Sequence, residues 1–358
     1  MGLVQQLPEG PLDIVGDVHG EHEALCALLA HLGYGASGHH PQGRTLVFVG
    51  DLCDRGPDSP AVFDRVERLI QAGRAVAVLG NHEVNLLRDD PKDGAGWYFH
   101  ERVDRDQPKY APFARPTASE RARIRSFVST LPIALERQDL RVVHAAWIQH
   151  HIDVARDVPV KAFRETYDAF EQLAHDKAEQ TDLAQRMQEE MRQWPWGVED
   201  RGRKPPFLHA RAEHEVNKQT LNPLKVLTCG VEGTGREPFF AGGKWRFVER
   251  LGWWDEYNQS TPVVVGHYWR TFRPAERASV GKENTDLFED ISPLHWHGKH
   301  HNVFCADFSV GGRWAARKAG SSGHDHYKLA ALRWPERVLR FDDGSEQETL
   351  GFRGAEHR

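Results

Sequence analysis

Short β-branched runs recur along this chain, and each stops at a residue that can bind a metal. "PLDIV" leads to Gly16, Asp17 and His19; "TLVFV" leads to Gly50 and Asp51; "AVAVL" leads to Gly80, Asn81 and His82. "LRVVH" closes on His144, and "TPVVV" leads to Gly266 and His267. Apolar runs bounded by turn formers read as buried strands. Between the first three lie "EHEALCALLAHLG" and "SPAVFDRVERLIQAG", amphipathic segments that each end in a glycine suited to a helix C-terminus. Strand alternating with helix predicts βαβ units and parallel pairing. Ligands of open α/β sheets gather at the carboxyl ends of the strands, so Asp17, His19, Asp51, Asn81, His144 and His267 are expected to converge. Mixed imidazole and oxygen donors suit Mn, Fe or Zn better than Ca or Mg. One such ending is ordinary turn chemistry. Five in succession are not.

The bulk properties narrow the class. With 358 residues the chain is long enough for one large domain or two modest ones, and 39% hydrophobic residues supply a full core. A net charge of -6 removes the electrostatic case for general nucleic-acid binding or for an anionic membrane surface. Cys26, Cys53, Cys229 and Cys305 form no CxxC pair, which argues against a disulfide framework or a cysteine zinc site and fits a reducing compartment. The N-terminal "MGLVQQLPEG" lacks the pattern of a signal peptide, and Gln6 stands where a myristoylation signal carries Ser or Thr. No apolar run approaches the roughly 20 residues of a membrane helix. A cytoplasmic protein without a membrane partner is expected.

The motifs "GDVHG", "GDLCDRG" and "GNHE", the strand closing on His144, and "GH" at 266–267 resemble the calcineurin-like metallophosphoesterases. "DRG" and "GNHE" are similar to the phosphoprotein phosphatase branch, bacterial members included. The likeness covers roughly residues 12–147 and 261–270. It implies an α/β fold, a four-layer α-β-β-α sandwich of two mixed sheets. The whole chain 1–358 would form one such domain, with an inserted helical cap over about 150–250. It implies a hydrolase that uses two divalent transition ions, manganese first and iron or zinc as alternatives. Asp17 and His19 would hold one ion, Asn81, His144 and His267 the other, and Asp51 would bridge them. A water shared by both ions would deprotonate near neutral pH and attack phosphorus in line. Arg55 would clamp phosphate oxygens, with Asn81 and Arg270 as further substrate contacts. His82 would protonate the leaving oxygen while Asp54 holds its ring. Glu83 completes the motif without an assigned role.

The departures bear on the substrate. The long second arginine motif of the eukaryotic protein phosphatases is missing, and about 120 residues separate His144 from His267. "FSVGGRWAAR" and "YKLAALRWPE" resemble the closing strands of bacterial diadenosine-polyphosphate hydrolases and polynucleotide-end phosphatases. The expected substrate is a phosphomonoester on a protein or small molecule, with a dinucleoside polyphosphate or nucleic-acid end as the alternative. A non-catalytic metal scaffold would be expected to lack His82, Asp51 or Arg55, and all three are present.

Weaker signals have plainer readings. Residues 156–193 read as an amphipathic helix pair packed through Phe163, Tyr167, Phe170 and Leu173. "GVEGTGREPFFAGGKW", with Arg236 and Lys244, lacks Walker spacing and reads as a set of turns, with a substrate-facing loop as the alternative. "HWHGKHH" reads as a surface histidine cluster, with a second metal site as the alternative, and "YKLAALRWPERVLRF" as two strands around a proline turn. The tail from Asp342 onward reads as loose.

Overall fold

The computed structural model describes residues 1–241, 243–273 and 286–354. In chain order the strands are β1 (Val4–Gln6), β2 (Leu12–Val15), β3 (Thr45–Phe48), β4 (Ala75–Ala77), β5 (Ala134–Arg137) and β6 (Leu140–Val143). They continue with β7 (Val231–Ala241), β8 (Lys244–Leu251), β9 (Val263–Val265), β10 (Val303–Cys305), β11 (Ala330–Trp334), β12 (Val338–Phe341) and β13 (Glu346–Glu348). One mixed sheet has the order β1-β5-β6-β9-β10, and the other β13-β12-β11-β2-β3-β4. The expected parallel β2-β3-β4 unit is present, with Val15 opposite Phe48 and Phe48 opposite Ala77.

Burial on both faces explains why these strands read as continuous apolar runs. Ile14, Val47, Val142, Val264, Phe304 and Leu332 pack between the two sheets. Their neighbours Val15, Phe48, Val143, Val265 and Cys305 point outward into the helix layers. Those layers include α1 (His22–Leu32) and α2 (Ser59–Gln71), which contribute Leu25, Leu28, Phe63 and Val66. The result is the expected sandwich, with each buried aliphatic side chain stabilising it by about 1.5–3 kcal/mol.

Helix α3 (Asn81–Arg88) starts directly at the end of β4, followed by α4 (Val103–Tyr110) and α5 (Ala118–Val128). Between β6 and β9 come α6 (Gln149–Arg156), α7 (Phe163–Gln180), α8 (Leu183–Gln193), α9 (His209–Thr220) and α10 (Pro223–Cys229), and α11 (Arg313–Lys318) follows β10. Helices α7 and α8 are the expected pair, but the buried stripe of α7 runs through Phe163, Tyr167, Ala174 and Ala178. Leu173, expected on that stripe, is exposed because it falls to one flank of it.

Two expectations fail. The glycine-rich stretch is not a set of turns: Val231–Ala241 forms a long antiparallel hairpin with β8, irregular between Thr234 and Phe239. Trp245 and Phe247 anchor that hairpin on Val198, Leu208 and Ala212, a packing that local composition does not reveal. Residues 150–250, expected to form a helical cap, are therefore mixed rather than all helical. The tail is also ordered through Gly354: β13 pairs with β12, and Asp342 is buried against Arg313 at 2.7 Å.

Candidate metal centre

Each chemistry-bearing side chain lies just beyond the carboxyl end of a strand. Asp17 and His19 follow β2, Asp51 follows β3, Asn81 opens α3 after β4, His144 follows β6, and His267 follows β9. The turns are tight enough to force His19, Asp51, Asp54, Arg55 and His267 into positive φ, between 46° and 74°. Such backbone is costly for side-chain-bearing residues and concentrates at functional sites. Glycines let the turns close: a Cβ on Gly266 would lie 2.0 Å from Asp17 Oδ1, and one on Gly80 would lie 2.2 Å from Asp51 Oδ1.

Asp51 is the hub. Its Oδ2 lies 3.4 Å from His144 Nε2, 3.7 Å from His82 Nε2 and 3.8 Å from His19 Nε2. Two groups of potential ligand atoms, His19–Asp51–His82 and Asp51–His144–His267, each fall within 4.8 Å and share that carboxylate. Asn81 Oδ1 faces His144 Nε2 at 3.2 Å and His267 Nδ1 at 2.9 Å. Both Asp17 oxygens accept from the backbone N–H of His267, at 3.1 and 3.2 Å. His19 Nδ1 lies 3.0 Å from the Cys53 carbonyl and His144 Nδ1 lies 2.8 Å from that of Val49. Those carbonyls hold the ring hydrogens outside, so Nε2 of each ring faces the centre.

The electrostatics suit bound cations. Burial, and then the neighbouring Asp307, push the Asp17 carboxyl well above its usual range. Burial, Arg55 and His82 hold His19 well below the ordinary imidazole range, so its Nε2 carries a lone pair at neutral pH. For His144 burial pulls downward, but the Asp51 carboxylate overcomes it and pushes the ring up to about 10. A proton on His144 Nε2 thus lies between Asp51 and Asn81 oxygens, where a cation would meet the same donors. Arg55 does likewise nearby, donating to His19 Nε2 at 2.8 Å and His82 Nε2 at 3.2 Å. The residues present fit a pair of divalent ions.

The profile of the calcineurin-like phosphoesterases matches residues 10–189. The chain belongs to that family. Among curated calcineurin-like relatives, an asymmetrical bis(5'-nucleosyl)-tetraphosphatase of Anoxybacillus flavithermus is 48% identical over 79 residues, covering 21% of this chain and 32% of that protein. A symmetrical bis(5'-nucleosyl)-tetraphosphatase of Ralstonia nicotianae is 44% identical over 77 residues, 22% of this chain and 24% of its own. The chain spans about a third or less of the length of these relatives. A crystallised cold-active protein-tyrosine phosphatase of a psychrophilic Shewanella covers 97% of this chain and 82% of its own, at 17% identity and a TM-score of 0.48.

Around the ligand set of this calcineurin-like site, His82 Nδ1 meets Asp54 Oδ2, while Asp54 Oδ1 accepts from Trp97 Nε1 at 2.5 Å. The Arg55 guanidinium lies 4.8 Å from the centre of the Trp269 ring. Glu83 now has a visible function: its buried carboxylate accepts from the backbone N–H groups of Asp51 (2.8 Å), Leu52 (2.8 Å) and Gly80 (2.9 Å). It ties the turn after β3 to the turn after β4. Asp307 went unremarked in the sequence, although "VFCAD" obeys the same rule of a buried run ending in a carboxylate. Its oxygens accept from Trp269 N at 2.8 Å and Ser309 N at 2.7 Å, bracing the turn that carries His267.

Arg270 does not join this group, contrary to its expected substrate contact. It is buried, with Nη2 donating to the carbonyls of Ser292 (2.5 Å) and His295 (3.3 Å) and its guanidinium between Phe288 and Phe304. The turn at positive φ on Trp269 aims successive side chains apart, so Trp269 meets Arg55 and Arg270 turns into the core. The histidine cluster is not all on the surface either. His297 is 3% exposed and packs edge-on against Trp254 and Phe288. Among the described residues no helix is long and apolar enough to cross a membrane.

Proposed function

We propose that this chain is a dinuclear metal-dependent phosphoester hydrolase. The observation that carries the reading is the single Asp51 carboxylate facing His19, His82 and His144 at 3.4–3.8 Å. Asp17 and His19 would hold one ion, Asn81, His144 and His267 the other, and Asp51 would serve both. When bound, two such ions polarise a phosphoryl oxygen and lower the pKa of water toward neutrality. Manganese is the first ion to test, because the donor set mixes imidazole with oxygen.

The chain's own residues do the rest. Arg55 presents a planar donor fork, and a phosphate dianion is a stronger acceptor than the imidazole lone pairs it meets here. Trp269 beneath it limits where that fork can point. Once phosphate draws Arg55 off His82 Nε2 and the ring takes up a proton there, His82 passes that proton to the leaving oxygen, and Asp54 fixes the ring through Nδ1. Trp97 keeps the Asp54 carboxylate in place from its other oxygen.

Phosphomonoesters of proteins or small molecules are the first substrate class. The tetraphosphatase names of the relatives favour a second, dinucleoside polyphosphates. All four cysteines are free, which supports a reducing, cytoplasmic setting. The test is phosphate release by Mn-loaded protein from p-nitrophenyl phosphate, phosphoserine peptides and diadenosine tetraphosphate. Turnover of any of these bears out the class, and their ranking assigns the substrate. Release from none, by folded protein carrying two ions, would leave a metal scaffold and refute the proposal.

A further inference from the structure

The hairpin over 231–251 carries three cations that Glu215 and Glu232 attract without pairing. Along β8, Lys244, Arg246 and Arg250 stand at alternate positions from Trp245 and Phe247, which pack into a small core, while Val248, between Arg246 and Arg250 on the cations' side, is buried in that core as well. None of the three forms an ion pair with a described residue. Their cross-strand partners on β7 are Ala241, Phe239 and Glu232, a single carboxylate against three cations. Neighbouring charges are already matched, Arg211 by Glu215 at 3.3 Å and Lys92 by Asp90 at 2.7 Å. The crowding is felt: burial, then Arg246, Arg211 and Lys92, hold the Lys244 ammonium below its usual range, with Glu215 opposing.

One end of this strip reaches a neighbour of the metal centre. The Arg250 guanidinium lies 5.9 Å from the Tyr268 ring centre, and Tyr268 meets His267 edge-on at 5.1 Å. At about 3.3 Å per residue, Lys244 to Arg250 spans about 20 Å. That is room for a chain of phosphates rather than one.

We propose that Lys244, Arg246 and Arg250 form a second anion-binding strip, which holds phosphoryl groups of the substrate beyond the one being cleaved. The strip selects polyphosphate esters over monoesters. This deepens the hydrolase reading above and rests on it for the word substrate, whereas anion binding can be measured without turnover.

The test is titration calorimetry of full-length, Mn-loaded protein with β,γ-methylene adenosine triphosphate and with methylphosphonate. The parent is expected to bind the triphosphate analogue at least about tenfold tighter, the worth of one charge-assisted contact. Replacing all three residues with glutamine should remove most of that preference while methylphosphonate affinity stays within about twofold, because the lost contacts lie beyond the first phosphate. A parent preference under about twofold, or equal weakening of both probes in the variant, would overturn the strip. Should the triple variant fail to fold, Arg250→Gln alone must still lower the preference, and an unchanged preference would overturn the proposal. Preference without hydrolysis of any ester would refute the hydrolase reading and leave the strip. Hydrolysis without preference would do the reverse.

Discussion

Replacing Glu83 with glutamine isolates the strut that joins the two turns around Asp51. The carboxylate accepts three backbone hydrogen bonds, two at Oε2 from Asp51 and Gly80 and one at Oε1 from Leu52. An amide of the same shape keeps its oxygen on the pair and puts an NH2 group against the Leu52 N–H. One charge-assisted bond is lost, about 1.5–3 kcal/mol, and two donors are left facing each other. Part of this returns, because burial and Asp51 hold the Glu83 carboxyl above its usual range, so its charge is held at some cost. The net is about 2 kcal/mol, near the lower end of that range. With unfolding entropy near 2.1 cal/mol/K per residue, 358 residues convert this to a drop in Tm of about 3 °C. Displacing the turns should also weaken metal affinity about 10–100-fold, the usual effect of losing a group that orients ligands. Thermal unfolding followed by circular dichroism in chelator, and Mn titration of the same protein, read the two effects separately. Unchanged Tm together with unchanged Mn affinity would refute the strut.

The remaining predictions concern chemistry and access. His82→Ala should lower kcat by about 10²–10⁴ on phosphoserine and clearly less on p-nitrophenyl phosphate, whose leaving group needs no proton. Metal content should stay at the parent level, and equal losses or a lost ion would make His82 a ligand, with His150 and His151 the next acids to test. Removing residues 156–195 deletes α7 and α8 and the pairs Arg88–Asp168 and Arg164–Asp89, each at 2.8 Å. If the segment filters substrates, the ranking of large against small esters should change in a folded, metal-loaded variant, whereas a uniform fall would make it a support.

The strand-end logic made the heart of the site legible because it is local. A buried run, a glycine and a side chain able to bind a metal lie within a few residues at Asp17, Asp51, Asn81 and His267. What escaped depends on packing between distant segments. Glu83 was visible in "GNHE", but its task of binding the turn after β3 exists only once β3 and β4 are neighbours. Asp307 follows the same rule as the other strand ends, and its short β10 run hid it. Arg270 sat three residues after His267, close enough in sequence to suggest a phosphate contact, yet the backbone turn at Trp269 sends it into the core. The hairpin over 231–251 was obscured by its glycines, and what fixes it is the contact of Trp245 and Phe247 with the insertion's own core.

Metal stoichiometry and phosphate release measured together on parent and Asp51→Asn protein test the central claim most directly. After Mn loading and desalting, the parent should retain two ions per chain and release phosphate from p-nitrophenyl phosphate. Asp51→Asn, which faces His19, His82 and His144, should lose affinity for both ions and lose turnover with them. A parent that holds one ion or none, or an Asp51→Asn protein that keeps two ions and full turnover, would contradict a shared carboxylate at the centre of the site.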